Sequence, residues 1–194
     1  MSRFAVPALL LALGACAART PPVEVTRFNL GTPVERGSVA IRPIDGQDAD
    51  SLEYRTYADA VTRQLQRLGY VPGQPATSLY LATIDVETGT RAALAERSPV
   101  SIGVGAGTGG YRGGGINLGA LFGIGGGGSR DVAVTQLRVQ MTRRSDSTVV
   151  WEGRAQTEAR VGTDAASPAY AADRLAAALF EEFPGRNGEV VTVR

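Results

Sequence analysis

Apolar and polar positions along the chain fall into distinct segments. Arg3 precedes an apolar run at residues 4–13. Such a run is too short to cross a bilayer core of about 30 Å as a helix, but it fits the hydrophobic region of a secretory leader. After Pro21-Pro22, residues 23–30 and 39–44 carry β-branched side chains flanked by Gly and Pro, the pattern of short strands. Tyr54, Tyr57, Ala58, Val61, Leu65 and Leu68 then recur at steps of three and four, with Asp59, Arg63 and Arg67 on another face. This spacing predicts an amphipathic helix, capped by Ser51 and ended by Gly69 in a left-handed turn that folds Tyr70 back toward Leu65.

Residues 78–87 read as a strand, with Tyr80, Ala82, Ile84 and Val86 on one side and Leu79 and Leu81 on the other; apolar on both sides at its start, it belongs inside a sheet. Residues 131–142 alternate through Val132 and Val134, then Leu137, Val139 and Met141, and the one-residue slip in phase predicts a bulge near Thr135 and Gln136. Residues 143–147 are polar enough for a hairpin turn before a strand at 148–160. Ser167-Pro168 opens a second helix running to Phe183, with Ala172, Leu175, Ala176, Leu179, Phe180 and Phe183 as its buried stripe and Pro184-Gly185 as its stop. A short strand at 189–193 closes the series. The order implies an α+β domain: a largely antiparallel sheet with two amphipathic helices on one face, plus a glycine-rich hairpin or loop insertion.

That insertion, residues 103–128, holds 14 of the chain's 25 glycines. Two G-x-G-x-x-G spacings occur in it, at Gly105/Gly107/Gly110 and Gly123/Gly125/Gly128, but at this glycine density chance produces such matches. Neither spacing opens a helix after a strand, as phosphate binding requires. Alternation is more informative. Ile102 and Val104 lead one arm, and Ile116, Leu118, Phe122 and Ile124 lie on the same phase of a return arm, with Tyr111-Arg112 between them. These eight residues form a candidate interaction surface, on a hairpin with one apolar face that lies on its own domain, meets another subunit or enters the bilayer. A mobile loop is the plainer alternative.

Composition removes most catalytic chemistry. The chain has no histidine and no lysine, so all 20 basic residues are arginine, and its one cysteine is Cys16. Histidine triads, cysteine zinc sites, disulfides, lysine Schiff bases and a Walker A lysine are excluded. A formal net charge of +1 on 194 residues gives no general grip on nucleic acid. No cofactor, metal site or catalytic constellation is expected. Asp85 and Glu87, two apart on one strand, read as surface charge rather than as paired acid/base carboxylates.

Leu13-Gly14-Ala15-Cys16 resembles the bacterial lipobox, in which the leader is cut before a cysteine that then carries the lipids. An ordinary leader cut near Ala15 or Ala18 is the alternative, but it would export an unpaired thiol into an oxidising compartment. The expected organisation is a lipoprotein signal peptide at 1–15, a lipid anchor and tether at 16–22, and one α+β domain at 23–194 carrying the insertion 103–128. Ala17, rather than aspartate, follows Cys16, which favours the outer membrane, with a palmitate-type lipid anchor on Cys16 and the domain facing the periplasm.

Tyr54-Arg55-Thr56-Tyr57-Ala58, Leu68-Gly69-Tyr70, the stretch from Val150 to Ala155 around Trp151-Glu152-Gly153, and Phe180-Glu181-Glu182-Phe183-Pro184 follow in order behind the lipobox. In this combination the chain resembles the bacterial lipoprotein family known as domain of unknown function 4136. The resemblance implies no activity and no catalytic residues; only the lipobox cysteine carries a role. The expectation is a non-enzymatic binding or scaffolding domain, lipid-anchored, with an envelope protein or a second copy of itself as partner. The alternatives are a self-assembling outer-membrane structural or pore-type component using the glycine-rich hairpin and, less favoured, an envelope hydrolase.

Overall fold

The computed structural model describes residues 20–90 and 132–194. The leader, Cys16 and the glycine-rich stretch with Ile102, Val104, Tyr111, Arg112, Ile116, Leu118, Phe122 and Ile124 lie outside the described residues. The described residues form seven strands, two α-helices and a 3-10 turn at Asp164–Ala166: β1 (Val23–Asn29), β2 (Ser38–Pro43), α1 (Leu52–Arg67), β3 (Val71–Pro72), β4 (Tyr80–Thr90), β5 (Val132–Arg143), β6 (Thr148–Arg160), α2 (Pro168–Phe180) and β7 (Val190–Val193). They form one sheet in the order β3-β2-β4-β5-β6-β1-β7. Pairing is antiparallel at β4–β5, β5–β6, β6–β1 and β1–β7, and parallel at β2–β3 and β2–β4. Parallel neighbours need a crossover, and α1 supplies it between β2 and β4.

Both helices start as the sequence predicts. The Tyr54 amide donates to Ser51 Oγ at 3.2 Å, and the Tyr170 amide to Ser167 Oγ at 3.4 Å with Pro168 in the first turn. At the end of α1, Gly69 takes φ +89°, so its amide reaches Gln66 O at 2.9 Å and the Tyr70 amide reaches Leu65 O at 3.0 Å. This hydrogen-bonded reversal satisfies carbonyls a simple helix end would leave open. The second helix stops at Phe180, short of the expected Phe183, and residues 181–184 form a turn in which Glu182 takes φ +55°.

The sheet's inner face is built in register. Val25, Ala155, Leu137 and Val86 form one cross-strand row; Gly153, Val139 and Ile84 lie in the next, and Trp151, Met141 and Ala82 in the one after. Tyr57, Val61 and Leu65 of α1 and Leu175 and Leu179 of α2 are buried with them in one core. At the centre of this packing Trp151 is fully buried, stacked on Phe180 with ring centroids 5.3 Å apart, its indole N–H donating to Pro184 O at 2.9 Å. Burying so large a ring with its N–H paired combines apolar burial with a satisfied donor. It also explains Gly153: a Cβ there would strike the Trp151 ring and stand 2.7 Å from Leu179 Cδ1. Arg27, 3% exposed, closes the same region by donating to Ala178 O at 2.7 Å and Leu179 O at 2.9 Å. A cation on the last carbonyls of α2 complements the helix dipole. Burial lowers the Arg27 pKa, opposed by Glu182 and Glu181.

The expected bulge is corrected. No bulge interrupts β5 at Thr135 and Gln136; its register with β4 runs unbroken from Arg143 to Ala133. The apparent slip arises because Val134 is buried on the outer face while Thr135 and Leu137 face the core. The irregularity lies at the other end of the hairpin, where Met141 opposes Trp151 but Thr142 opposes Val149, leaving Val150 as the extra residue. β3, a two-residue edge strand with both side chains exposed, is additional to the strands expected and has no apolar pattern to read.

Candidate functional site

One end of the sheet departs from the apolar register. Beyond the row of Val25, Ala155, Leu137 and Val86, the next inward positions are Val23, Thr157, Thr135 and Thr88. Three threonines replace aliphatic residues where the helices begin. Thr157 Oγ1 donates to Pro22 O at 3.0 Å, fixing the point at which the chain enters the sheet. Residues 91–131 connect β4 to β5 at this same end, between Thr90 and Val132. The start of β1, the end of β4 and the start of β5 therefore lie at the same end of the sheet.

At this end of the sheet lies a cavity of about 480 Å³, lined by Glu53 and Tyr57 of α1, Thr88 and Gly89 of β4, Ala133 and Thr135 of β5, residues 161–164, Ala166, Ser167 and Pro168. This is ligand-sized space, more than twice the roughly 130 and 200 Å³ of the clefts flanking Tyr70. Among the described residues its polar groups are two carboxylates, Glu53 and Asp164, and several hydroxyls. Thr88 Oγ1 lies 3.5 Å from Glu53 Oε1, at the limit of a hydrogen bond. Tyr57 is 1% exposed; burial pushes its phenol well above the ordinary tyrosine pKa, the Glu53 charge adds to this, and a hydrogen bond with Thr88 opposes it. The described lining is thus an apolar and hydroxyl-bearing wall with two carboxylates at its edge. Among the described residues, no group of three or more Asp, Glu, His or Cys side chains is placed to hold a metal ion.

The opposite face of the sheet is polar. Asp85 Oδ2 lies 3.9 Å from Arg138 Nη1, and Glu152 Oε1 lies 3.9 Å from Arg138 Nε and 3.7 Å from Arg154 Nη2. Asp85 thus faces an arginine, while Glu87 opposes Gln136 and is exposed. This geometry is a charge ladder on a solvated face, the reading made for these two carboxylates from sequence. The cavity, by contrast, is absent from the sequence-based candidates. Its signal was present as Thr88, Thr135 and Thr157, hydroxyls on the inward phase of strands otherwise aliphatic there.

These features define a mostly antiparallel α+β sheet domain with a largely apolar, hydroxyl-edged cavity at the end of the sheet where β4 finishes and β5 begins. Residues 25–185 match the family described as domain of unknown function 4136, and the chain belongs to it. An uncharacterized protein of Zymomonas mobilis subsp. mobilis is 34% identical over 220 residues, which cover 90% of this chain and 81% of that one. Among solved structures, a PDZ domain protein from Parabacteroides distasonis superposes with TM-score 0.50 at 12% identity over 89% of this chain; the chain spans only 39% of that protein's length. A PelC dodecamer from Paraburkholderia phytofirmans gives TM-score 0.49 at 11% identity, covering 85% of this chain and 99% of that one. No described helix is long and apolar enough to cross a membrane.

Proposed function

We propose that this protein is a lipid-anchored envelope lipoprotein, held in the outer membrane through Cys16, whose periplasmic domain binds or scaffolds an envelope component without catalysing a reaction. The observation that best supports this reading is the shared end: the chain's entry at Pro22, the exit of residues 91–131 and the 480 Å³ cavity are neighbours. A partner recruited at the membrane surface would meet all three together. Crosslinking in cells, followed by mass spectrometry of what the lipidated chain captures, tests it; reproducible capture of one envelope component is the expected result. Turnover of peptidoglycan or glycan fragments by the purified protein, lost in Asp85→Ala, would overturn the non-enzymatic reading.

A second reading, self-assembly through the glycine-rich segment, is favoured by the alternating apolar positions from Ile102 to Ile124. Light scattering in detergent distinguishes it. Assembly requires a multiple of the protomer mass that falls to one protomer when residues 103–128 are deleted.

A further inference from the structure

We propose that the cleft beside Tyr70, where both helices finish, binds a small monocarboxylate with an apolar body. The inference rests neither on Cys16 nor on the 480 Å³ cavity. Three short stretches shape the cleft: Val34 and Arg36 ahead of β2, Leu68 and Tyr70 after α1, and Phe183 and Pro184 after α2, around a space of about 200 Å³. The lining residues and their chain neighbours are all among the described residues. Such a volume is the share of about six or seven waters in the liquid, room for a short branched acid and too little for a drug-sized molecule. Apart from Arg36 and the Tyr70 hydroxyl, its side chains are apolar.

These two polar groups carry the inference. Tyr70 is 3% exposed, yet its hydroxyl has no hydrogen-bond partner among the described residues. Other buried polar side chains are paired: Trp151 Nε1 donates to Pro184 O, Arg27 to two carbonyls of α2, and Ser78 Oγ to Gln74 O. A hydroxyl left unpaired in such a setting costs stability, and a ligand that accepts from it accounts for its presence. Arg36 is exposed beside it and engages only Nε, on Leu68 O. Among the described residues its Nη groups make no hydrogen bond or ion pair. Burial, with Tyr80 adding to it, raises the Tyr70 pKa to about 12, and the Arg36 charge opposes that rise, so the guanidinium lies toward the hydroxyl. A guanidinium fork and a phenol O–H offer donors to a group that only accepts, and a carboxylate is such a group. One cation matches one negative charge. Glu35 and Glu182, exposed and adjacent in the chain to Arg36 and Phe183, set the cleft against a dianion such as phosphate.

A free acid and the last residue of a peptide share this chemistry, and the test separates them. It uses the purified full chain in detergent, with 3-methylbutanoate, its amide, inorganic phosphate and a tripeptide ending in a free valine carboxylate as probes. Titration calorimetry reads binding. The emission of Trp151, the chain's one tryptophan, locates it, because that indole lies 5.1 Å from the Phe183 ring and donates to Pro184 O. At least one of the two carboxylates should bind saturably and shift that emission, and the tighter of them identifies the source; the amide and phosphate should bind at least about tenfold more weakly. Tyr70→Phe should weaken the tighter carboxylate at least about tenfold, the loss of one hydrogen bond to a charged group, in a protein no less stable than the parent. Arg36→Gln should bring 3-methylbutanoate down to the level of its amide and leave the amide unchanged, a split that a variant failing to fold would not show. Absence of saturable carboxylate binding, an amide that binds as well as the acid, or undiminished binding in Tyr70→Phe overturns the proposal.

Discussion

At the scale of single residues, Gly153 and Trp151 show how local chemistry constrains this sheet. The space a Cβ would need at 153 is occupied by the indole ring and by Leu179 of α2. Gly153→Ala should therefore cost about 1–3 kcal/mol, read as a lower urea midpoint with unchanged m-value; an unchanged midpoint would show that the helix can retreat freely. Tyr70 behaves oppositely, because its hydroxyl is buried with no hydrogen-bond partner among the described residues. Tyr70→Phe should leave stability unchanged or raise it by up to about 1 kcal/mol, since it removes an unpaid desolvation cost. The same burial raises the Tyr70 pKa to about 12 and shifts Tyr54 and Tyr57 in the same direction. With folded pKa values above the unfolded value of 10.0, unfolded chains release these protons first. Stability is then full below pH 10 and falls as pH rises toward 12. Denaturant midpoints taken from pH 8 to 11.5 should fall over the upper part of that range, and Tyr70→Phe should flatten the decline.

At the scale of elements, the helices were legible because each carries its own boundary chemistry. Ser51 and Gly69 bracket α1, and Ser167-Pro168 opens α2, so local hydrogen bonding announces what tertiary packing then uses. Ser51→Ala and Ser167→Ala should each lower stability by about 1 kcal/mol, and the pair should add, as their capping bonds share no partner. Thermal melts of the singles and the double check this; a double no worse than either single would contradict it. The strands were legible where one face is buried and misleading where both are. In β5 a buried outward valine, Val134, sits beside a buried inward threonine, Thr135, and alternation alone reads that as a slip. The true irregularity at Val150 was hidden because Val150 and Trp151 are both buried, as at the start of any interior strand. The cavity stayed out of view for a different reason. Its residues come from α1, β4, β5 and residues 161–168, and only the pairing of Thr88 with Thr135 brings them to one place.

At the scale of the whole molecule, polarity is distributed with direction. Arg27 and the aromatic packing around Trp151 secure the end where α2 finishes. Threonines, two helix starts, the cavity and both segment junctions gather at the other. Arg27→Met, which strips two bonds from the α2 carbonyls, should cost about 2–3 kcal/mol in a denaturant titration while leaving membrane association intact. A variant as stable as the parent would show that the two bonds contribute nothing to folding. The central claim is that Cys16 is the first residue of the mature protein and its anchor. Intact mass spectrometry of the chain extracted from bacterial membranes tests that most directly. The account predicts a chain beginning at Cys16 and carrying the added mass of a diacylglycerol and an N-acyl chain; a chain retaining residues 1–15, or one cut nearby with an unmodified thiol, would contradict it.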